Sequence, residues 1–551
     1  MSSDVTMTNA AQPQLKVGQR IVSDHIKGTV RFIGEVPPTK GEWIGVEWDD
    51  KERGKHSGEH NGTKYFDCLF PGTGSFTRIS KKIETGSTLL EVLTERYVDK
   101  EKKMEDLYLG QSGVKVDVFD FDRVKDRQKN LDSMEIVGLA NTNVARAADF
   151  DETQKACPAI QDLDLTSTLI STWQDVADIC APLTRLDILR LSRNRFQPLV
   201  EQPSFGQSFA KLRCLALNRV YLSWDEFEFL EPSMPNLQVL QIGFNMFTEL
   251  GKTDPASPIA SQKIKGLVNL EDLHLEGNLL ADWNQILRLS HLPKLKTLDL
   301  SENKFVNVIG PQDDNDFKTL TSLRLADNLI EGWLSIDQIG LYTTLRSLWI
   351  GNNPVLTKPP SGQQISVPST HGFDPRTESI VRLPHIVQLN GSEISEKDRL
   401  NAELYYVTQV AHSTKGMDEA AILAIHPRFE ELCKVHGRPD TSDEFRKATS
   451  DILKDRLIDI TLVSKSDIDG PVKASFKRKV LGTMTVKNLK NLAQKLLRIP
   501  SQRQQLVFLT NDPDYADVKV KVYLKDDMRQ ISFYDITDGE EIIVLGAPAG
   551  K

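Results

Sequence analysis

The sequence predicts a multidomain chain: a small all-β domain, then an α/β solenoid of short repeats with a cap at its end, then a β-grasp domain. Three observations predict it. Short β-type runs separated by glycine-rich turns fill the segment from about Gln14 to Ile83. A leucine pattern recurs through the middle of the chain at a spacing of 25 residues. The last part reads strand, strand, helix, strands. The expected boundaries are 14–85 for the first domain, 86–125 for a helical linker, 126–360 for the repeats, 361–412 for their cap, 413–454 for a second helical linker and 455–547 for the last domain.

Whole-chain properties narrow the function classes. A length of 551 residues implies several domains. Hydrophobic residues at 39% and charged residues at 26% suit packed cores in water. No apolar run is long enough to span a membrane, and the polar start MSSDVTMTNAAQPQ lacks an apolar signal segment. The five cysteines, Cys68, Cys157, Cys180, Cys214 and Cys433, are scattered and odd in number, which fits free thiols in a reducing compartment. No Cys/His spacing suits a structural metal. The net charge of −9 is uneven: Leu15 to Lys82 holds 12 Lys/Arg against 9 Asp/Glu, and the remainder is acidic. An acidic chain with one mildly basic module does not suit nucleic acid; that module suits an acidic ligand.

In the first domain RIVSD, GTVRFIG, WIGVEWD, KYFDC and SFTRI read as strands, and KGEW and RGKHSGEHNG as turns. A helix is expected from Ser87 to Asp106 in the linker that follows.

The middle repeats follow L-x-x-L-x-L-x-x-N. The pattern is met by Leu186, Leu189, Leu191 and Asn194, by Leu237, Leu240, Ile242 and Asn245, and by Leu270, Leu273, Leu275 and Asn278. Three further copies start at Leu295, Leu320 and Leu345, and degenerate copies at Leu131, Ile160 and Leu212. The interval from 237 to 270 is longer and carries an insertion, roughly Gly251 to Lys263. One coil cannot bury its leucines alone, so stacked coils share a core: this is a leucine-rich-repeat solenoid with strands on its concave face. The asparagines are expected to bond backbone groups of neighbouring coils. The outward residues of the strands are Glu135, Asp164, Arg190, Ala216, Gln241, His274, Asp299, Arg324 and Trp349. Their mixed chemistry suits a large protein ligand, and Arg190, Gln241, His274, Asp299, Arg324 and Trp349 are the candidate contacts.

The segment Leu383 to Val407 turns helical at ISEKDRLNAELYYV, where Ser395 precedes Asp398 by three as in a capping box. It caps the last coil, and Tyr405 belongs to that cap. In the last domain RLIDITLVS and SFKRKVLGTMTV form a hairpin, Thr485 caps the helix VKNLKNLAQKLLRI, and QQLVFLT and EEIIVLG add strands. The order resembles ubiquitin-like domains. The end, Ala547 to Lys551, lacks Gly-Gly, so a fixed binding module using an exposed sheet face is expected, not a conjugated modifier.

Four motifs then specify the first domain: GEWIGVEWD (Gly41 to Asp49), GKHSG (Gly54 to Gly58), NGTKYFDC (Asn61 to Cys68) and GSFTR (Gly74 to Arg78). They resemble a CAP-Gly barrel. That family binds acidic C-terminal tails ending in an aromatic, such as the tail of α-tubulin. The resemblance implies that Trp43 and Phe76 line a slot for the terminal aromatic, that Lys55 and His56 meet carboxylates, that Gly58 lets the ligand backbone approach and that Arg78 adds charge. This loop has His56 and Ser57 where the commonest form has Asn and Asp, and Pro37 and Pro38 where many members place an aromatic. Trp48 and Tyr65 read as core.

CAP-Gly, capped leucine-rich repeats and a ubiquitin-like domain in this order resemble the tubulin-folding cofactor E family. The resemblance implies a cytoplasmic chaperone at the cytoskeleton. It would capture α-tubulin and act on the α/β-tubulin dimer with cofactors B, C and D; the last domain is expected to engage either another cofactor or the proteasome, and nucleic acid and membranes are not expected partners. Two other readings are a CAP-Gly microtubule scaffold, which usually carries coiled-coil heptads not seen here, and a ubiquitin- or proteasome-linked adaptor. No phosphate loop, nucleophile elbow or HExxH motif is present, so no enzyme chemistry and no cofactor are expected.

Overall fold

A computed structural model describes residues 15–80, 82–97, 131–357, 360, 374–439, 457–468, 470–511, 519–534, 536 and 539–546. It divides into two compact units, Met1–His436 and Gly437–Lys551. No helix among the described residues is long and apolar enough to cross a membrane.

The first domain is an antiparallel five-stranded sheet in the order Gly74–Thr77, Thr39–Trp48, Ile26–Val36, Arg20–Ser23 and Ile83–Glu84. Alternation along the strands sends Ile21, Val30, Ile44, Val46 and Trp48 into one core. Trp48 is buried, and its indole nitrogen donates to Ser75 Oγ at 2.7 Å. KYFDC, expected to be a strand, is not one. Only Thr63–Lys64 pairs, with Glu59–His60, and the chain then leaves the ladder so that Phe66 can turn into the core.

The solenoid sheet is 11-stranded, parallel from Ile136–Gly138 to Gln388–Leu389, and closed by the antiparallel strand Ser392–Glu393. From Asp162–Asp164 to Ser347–Trp349 each coil contributes three residues centred on one buried leucine, as in Ile188–Arg190 around Leu189. The first coil is set differently from the expected one. Leu131 lies in a 3-10 turn, and Val137 and Leu139 are the residues that enter the core. Gly138, not Glu135, therefore stands in register with Asp164 and Arg190.

The asparagines form a buried ladder. Asn303 donates to the carbonyls of Leu275 in the preceding coil and Leu300 in its own, at 3.0 and 3.1 Å, and accepts from the Leu280 amide at 3.1 Å. Asn194, Asn328 and Asn353 repeat the pattern of donation. Each buried amide thus satisfies backbone groups that the tight turn leaves without a ladder partner. The insertion is held from below: Lys263 Nζ donates to Ser290 Oγ at 2.7 Å and pairs with the buried Asp316 at 2.9 Å, and Arg288 donates to carbonyls of Leu250 and Gly251.

The segment after the first domain is part of the solenoid rather than a free linker at its start. Ser87–Thr88 pairs in parallel with Val144–Arg146, and the helix Leu89–Tyr97 buries Leu89, Val92 and Leu93 in the solenoid core. The remainder of the expected helix, to Asp106, lies outside the described residues. At the other end the helices Pro375–Arg382 and Glu396–Ser413 cover the last coil. Ser395 and Asp398 form the expected capping box. Arg382, buried, pairs with Asp337 and Glu378, both at 2.7 Å. Two helices of the expected second linker, Glu419–Ile425 and Phe429–His436, also pack here through Ile422, Phe429 and Leu432; residues 440–456 lie outside the described residues.

The second unit is a β-grasp domain. Its sheet runs Val472–Leu481, Leu457–Lys465, Glu541–Leu545, Gln505–Asn511, Lys519–Tyr523, with the two terminal strands parallel at the centre. Thr485 caps the helix Val486–Leu497 by accepting from the Asn488 amide. The strand Lys519–Tyr523 was not expected. On the sheet face opposite the helix, Val463, Val507 and Ile543 are buried, so the centre of that face is not the open surface expected. Ala547 to Lys551 lie outside the described residues.

Candidate functional site

Phe76 is the hub of an aromatic cluster on the first domain. It is half-buried, and the rings of His56, Tyr65 and Phe66 lie 5.0, 5.4 and 5.5 Å from it. Phe32 and His60 complete the surround, each at 6.2 Å. Strand register explains the assembly. Phe76 pairs with Gly45, which also opposes Phe32. A Cβ at Gly45 would come within 2.3 Å of the Phe66 ring, so only glycine leaves room for that ring beneath the cluster.

Trp43 shares this face, two positions before Gly45, but stands outside the cluster. Its indole nitrogen donates to Thr39 Oγ1 at 3.0 Å. Arg78, two positions after Phe76, sits 4.0 Å over the Trp43 ring and donates to the carbonyls of Lys40 and Glu42. Arg78 thus orients Trp43 and its turn, a more specific task than adding charge. Lys55 is exposed, with its backbone anchored to the Gly74 carbonyl at 2.8 Å.

His56 accepts at Nδ1 from the Gly58 amide at 3.0 Å, so its proton sits on Nε2. Burial, with His60 beside it, lowers its pKa. It therefore offers a carboxylate a neutral N–H, whereas Lys55 offers the charge. The close approach at Gly58 is internal. With φ of +93°, a Cβ there would lie 1.9 Å from the Phe66 carbonyl oxygen. The chemistry presented is an aromatic surface with one neutral donor and one cation at its rim, which fits a ligand with an aromatic end and carboxylates.

The strand face of the solenoid carries two rows of side chains per coil. The row expected from sequence contains Arg190, Gln241, His274, Asp299, Arg324 and Trp349, and the register aligns them strand by strand. Several of these charges are already used within the face. Arg190 pairs with Asp162, and Arg324 lies 3.3 Å from Asp299 and 5.7 Å over the Trp349 ring. Trp349 is 38% exposed, the largest apolar side chain offered on this row. His274, Glu276 and Asp299 converge, with their ligating atoms within 4.8 Å of one another. Burial and then the Asp299 charge raise the pKa of Glu276.

A CAP-Gly domain model matches residues 17–82. Over 550 residues the chain is 30% identical to "Tubulin-specific chaperone E" of Xenopus laevis, covering 97% of this chain and 99% of that protein. The chain belongs to the tubulin-specific chaperone E family. Other members are equally extended matches: "Tubulin-specific chaperone E" of Danio rerio is 30% identical over 96% of this chain and 98% of its own. "Tubulin-folding cofactor E" of Arabidopsis thaliana is 30% identical over 96% and 97%.

In this member of the tubulin-specific chaperone E family, three residues of the aromatic cluster are not singled out by the sequence. Tyr65 was assigned to the core but is half-buried within the cluster, and Phe32 and His60 were not singled out. The alternation of Phe32 with Gly34 along one strand was the available signal. The second row of the strand face, with Asp162, Asp272, Thr297 and Ser322, was also missed. The residue before the central leucine points outward as well as the residue after it.

Proposed function

We propose that this chain is a tubulin-folding chaperone whose CAP-Gly groove takes the acidic, aromatic-ended tail of α-tubulin and whose solenoid strand face takes the folded body. It acts on α/β-tubulin dimers, in assembly and disassembly, together with the other tubulin cofactors, B, C and D among them. It works in the cytoplasm, at the cytoskeleton, by binding rather than by catalysis. The single observation that carries this reading is the match to proteins named tubulin-specific chaperone E along the whole length of the chain, through every domain. The groove adds chemical support: an aromatic hub at Phe76 beside the exposed Lys55 complements a tail of carboxylates with a terminal ring. The β-grasp domain serves as a fixed docking module for another cofactor or the proteasome.

The test uses the full chain with purified α/β dimers. Phe76→Ala with Lys55→Glu should abolish binding of a peptide ending in Glu-Glu-Tyr and weaken dimer capture without abolishing it. Arg190→Glu with Trp349→Ala should spare the peptide and remove dimer splitting, followed as intact dimer by light scattering. Dimer splitting that survives the strand-face variant would reject this division of labour. Capture of polymerised microtubules but not soluble α-tubulin would favour a scaffold instead.

A further inference from the structure

The CAP-Gly domain and the solenoid meet along a seam that uses neither the aromatic cluster nor the strand face. Lys27 Nζ donates to the Thr142 carbonyl at 3.1 Å and also to the Ser167 carbonyl. Phe70 meets Tyr221 edge to face, with ring centres 5.2 Å apart. Arg195 stacks on Tyr221 at 4.5 Å, donates to the Arg219 carbonyl at 2.7 Å, and lines one cleft with Glu47, Trp48, Asp49 and Phe70. A Cβ at Gly18 would lie 2.7 Å from the Gln197 side chain.

Thr142, Ser167, Arg195 and Tyr221 belong to successive coils, each just past its strand. The β domain thus rests on the turns of several coils at once. The contacts join positions 115 and 140 residues apart in the chain, so chain continuity does not produce them. A lysine ammonium shared by two carbonyls makes strong, directional bonds and is costly to leave half-buried without them. Burial lowers the Lys27 pKa to about 8, as expected for a cation held in a packed seam.

We infer that the CAP-Gly domain and the solenoid form one rigid body, so that the aromatic groove stands at a fixed span and orientation from the strand face. The rigid body rests on the seam alone; its consequence for tubulin rests on the proposed function. A flexibly tethered groove would search a volume for its tail. A preset groove engages at once when tail and body match its span, and rejects partners that do not.

The experiment measures the distance distribution between spin labels on non-natural side chains at the exposed positions Glu35 and Lys318 of the full chain. One narrow distance is expected. It should broaden when Lys27→Ala, Phe70→Ala and Tyr221→Ala are combined, or in Lys27→Ala alone should the triple variant fold poorly. Unlabelled seam variants should bind the Glu-Glu-Tyr peptide as the parent does but capture dimers ~10-fold more weakly. A broad distribution in the parent overturns the inference. A broadened variant that captures dimers as tightly as the parent sustains the rigid body and overturns the part assigned to its fixed span in dimer capture. A parent with one narrow distance that binds neither peptide nor dimer would sustain the rigid body and reject the proposed function.

Discussion

The guanidinium of Arg78 lies 4.0 Å from the centre of the Trp43 ring, while its two terminal nitrogens donate to the carbonyls of Lys40 and Glu42 at 2.7 and 2.9 Å. One side chain therefore fixes both the ring and the turn before it. Planar forked donors and ring stacking are properties of arginine that lysine lacks. Arg78→Lys should consequently weaken tail-peptide binding nearly as much as Arg78→Ala, by about 1–2 kcal/mol. Tryptophan fluorescence should report Trp43 released in both variants. Full rescue by lysine would mean that Arg78 acts as a simple charge.

Lys55 tests the charge at the same rim. It is exposed and its side chain supports no packing, so Lys55→Glu should leave the domain folded. Affinity for a Glu-Glu-Tyr peptide should fall by on the order of 1–3 kcal/mol. Titration at rising salt should weaken the parent and have less effect on the variant. Unchanged affinity in a variant with a native circular dichroism spectrum would remove Lys55 from the site.

Asn303 tests the ladder. Replacing it by alanine leaves the Leu280 amide without its partner in a buried turn, while the Leu275 and Leu300 carbonyls each lose one of two donors and keep Asn278 and Asn328. The solenoid should lose about 1–3 kcal/mol, read from the denaturant midpoint, with faster hydrogen exchange at the Leu280 amide. A loss below about 1 kcal/mol, the net worth of a single ordinary hydrogen bond, would show that water replaces the amide.

His426 gives the cap a pH dependence. It is 1% exposed, bonds the Tyr406 hydroxyl at 3.1 Å and faces the Arg382 cation. Burial, then Arg382, lower its pKa from 6.5 to about 4. An unfolded chain takes up the proton near 6.5, the folded cap only near 4. Between these values the unfolded state binds more protons, so stability present above pH 6.5 is lost as pH falls toward 4, by about 3 kcal/mol from this group. Denaturation followed through the cap helices at pH 7 and pH 5 should show the loss, and His426→Gln should flatten it. An equal slope in the variant would assign the effect to other groups.

Much of the groove was legible because its residues sit in local motifs. The run Gly74 to Arg78 places Phe76 and Arg78 on one face by alternation alone. What Arg78 touches was not legible, since Trp43 is 35 positions earlier and meets it only through strand pairing. Gly58 illustrates the same limit: its need for glycine was plain, but the object pressing on it is the Phe66 carbonyl. The slip in the first coil has a similar cause. Leu131 fits the spacing as well as Met134 does, and only stacking against Leu163 shows that Val137 is the buried position.

The sequence by itself determined the order of domains, the repeat, the buried asparagines and the helix caps at Ser395 and Thr485. These follow from spacing within a turn or a coil, where a residue's neighbours are its neighbours in the chain. Only the tertiary structure decided that Leu89–Tyr97 caps the solenoid, that Val463, Val507 and Ile543 lie on a closed face, and that Lys27 reaches Thr142 and Ser167. Each depends on surfaces far apart in sequence meeting in space. Periodicity tells which side of a strand or helix seeks burial, and packing alone decides what buries it.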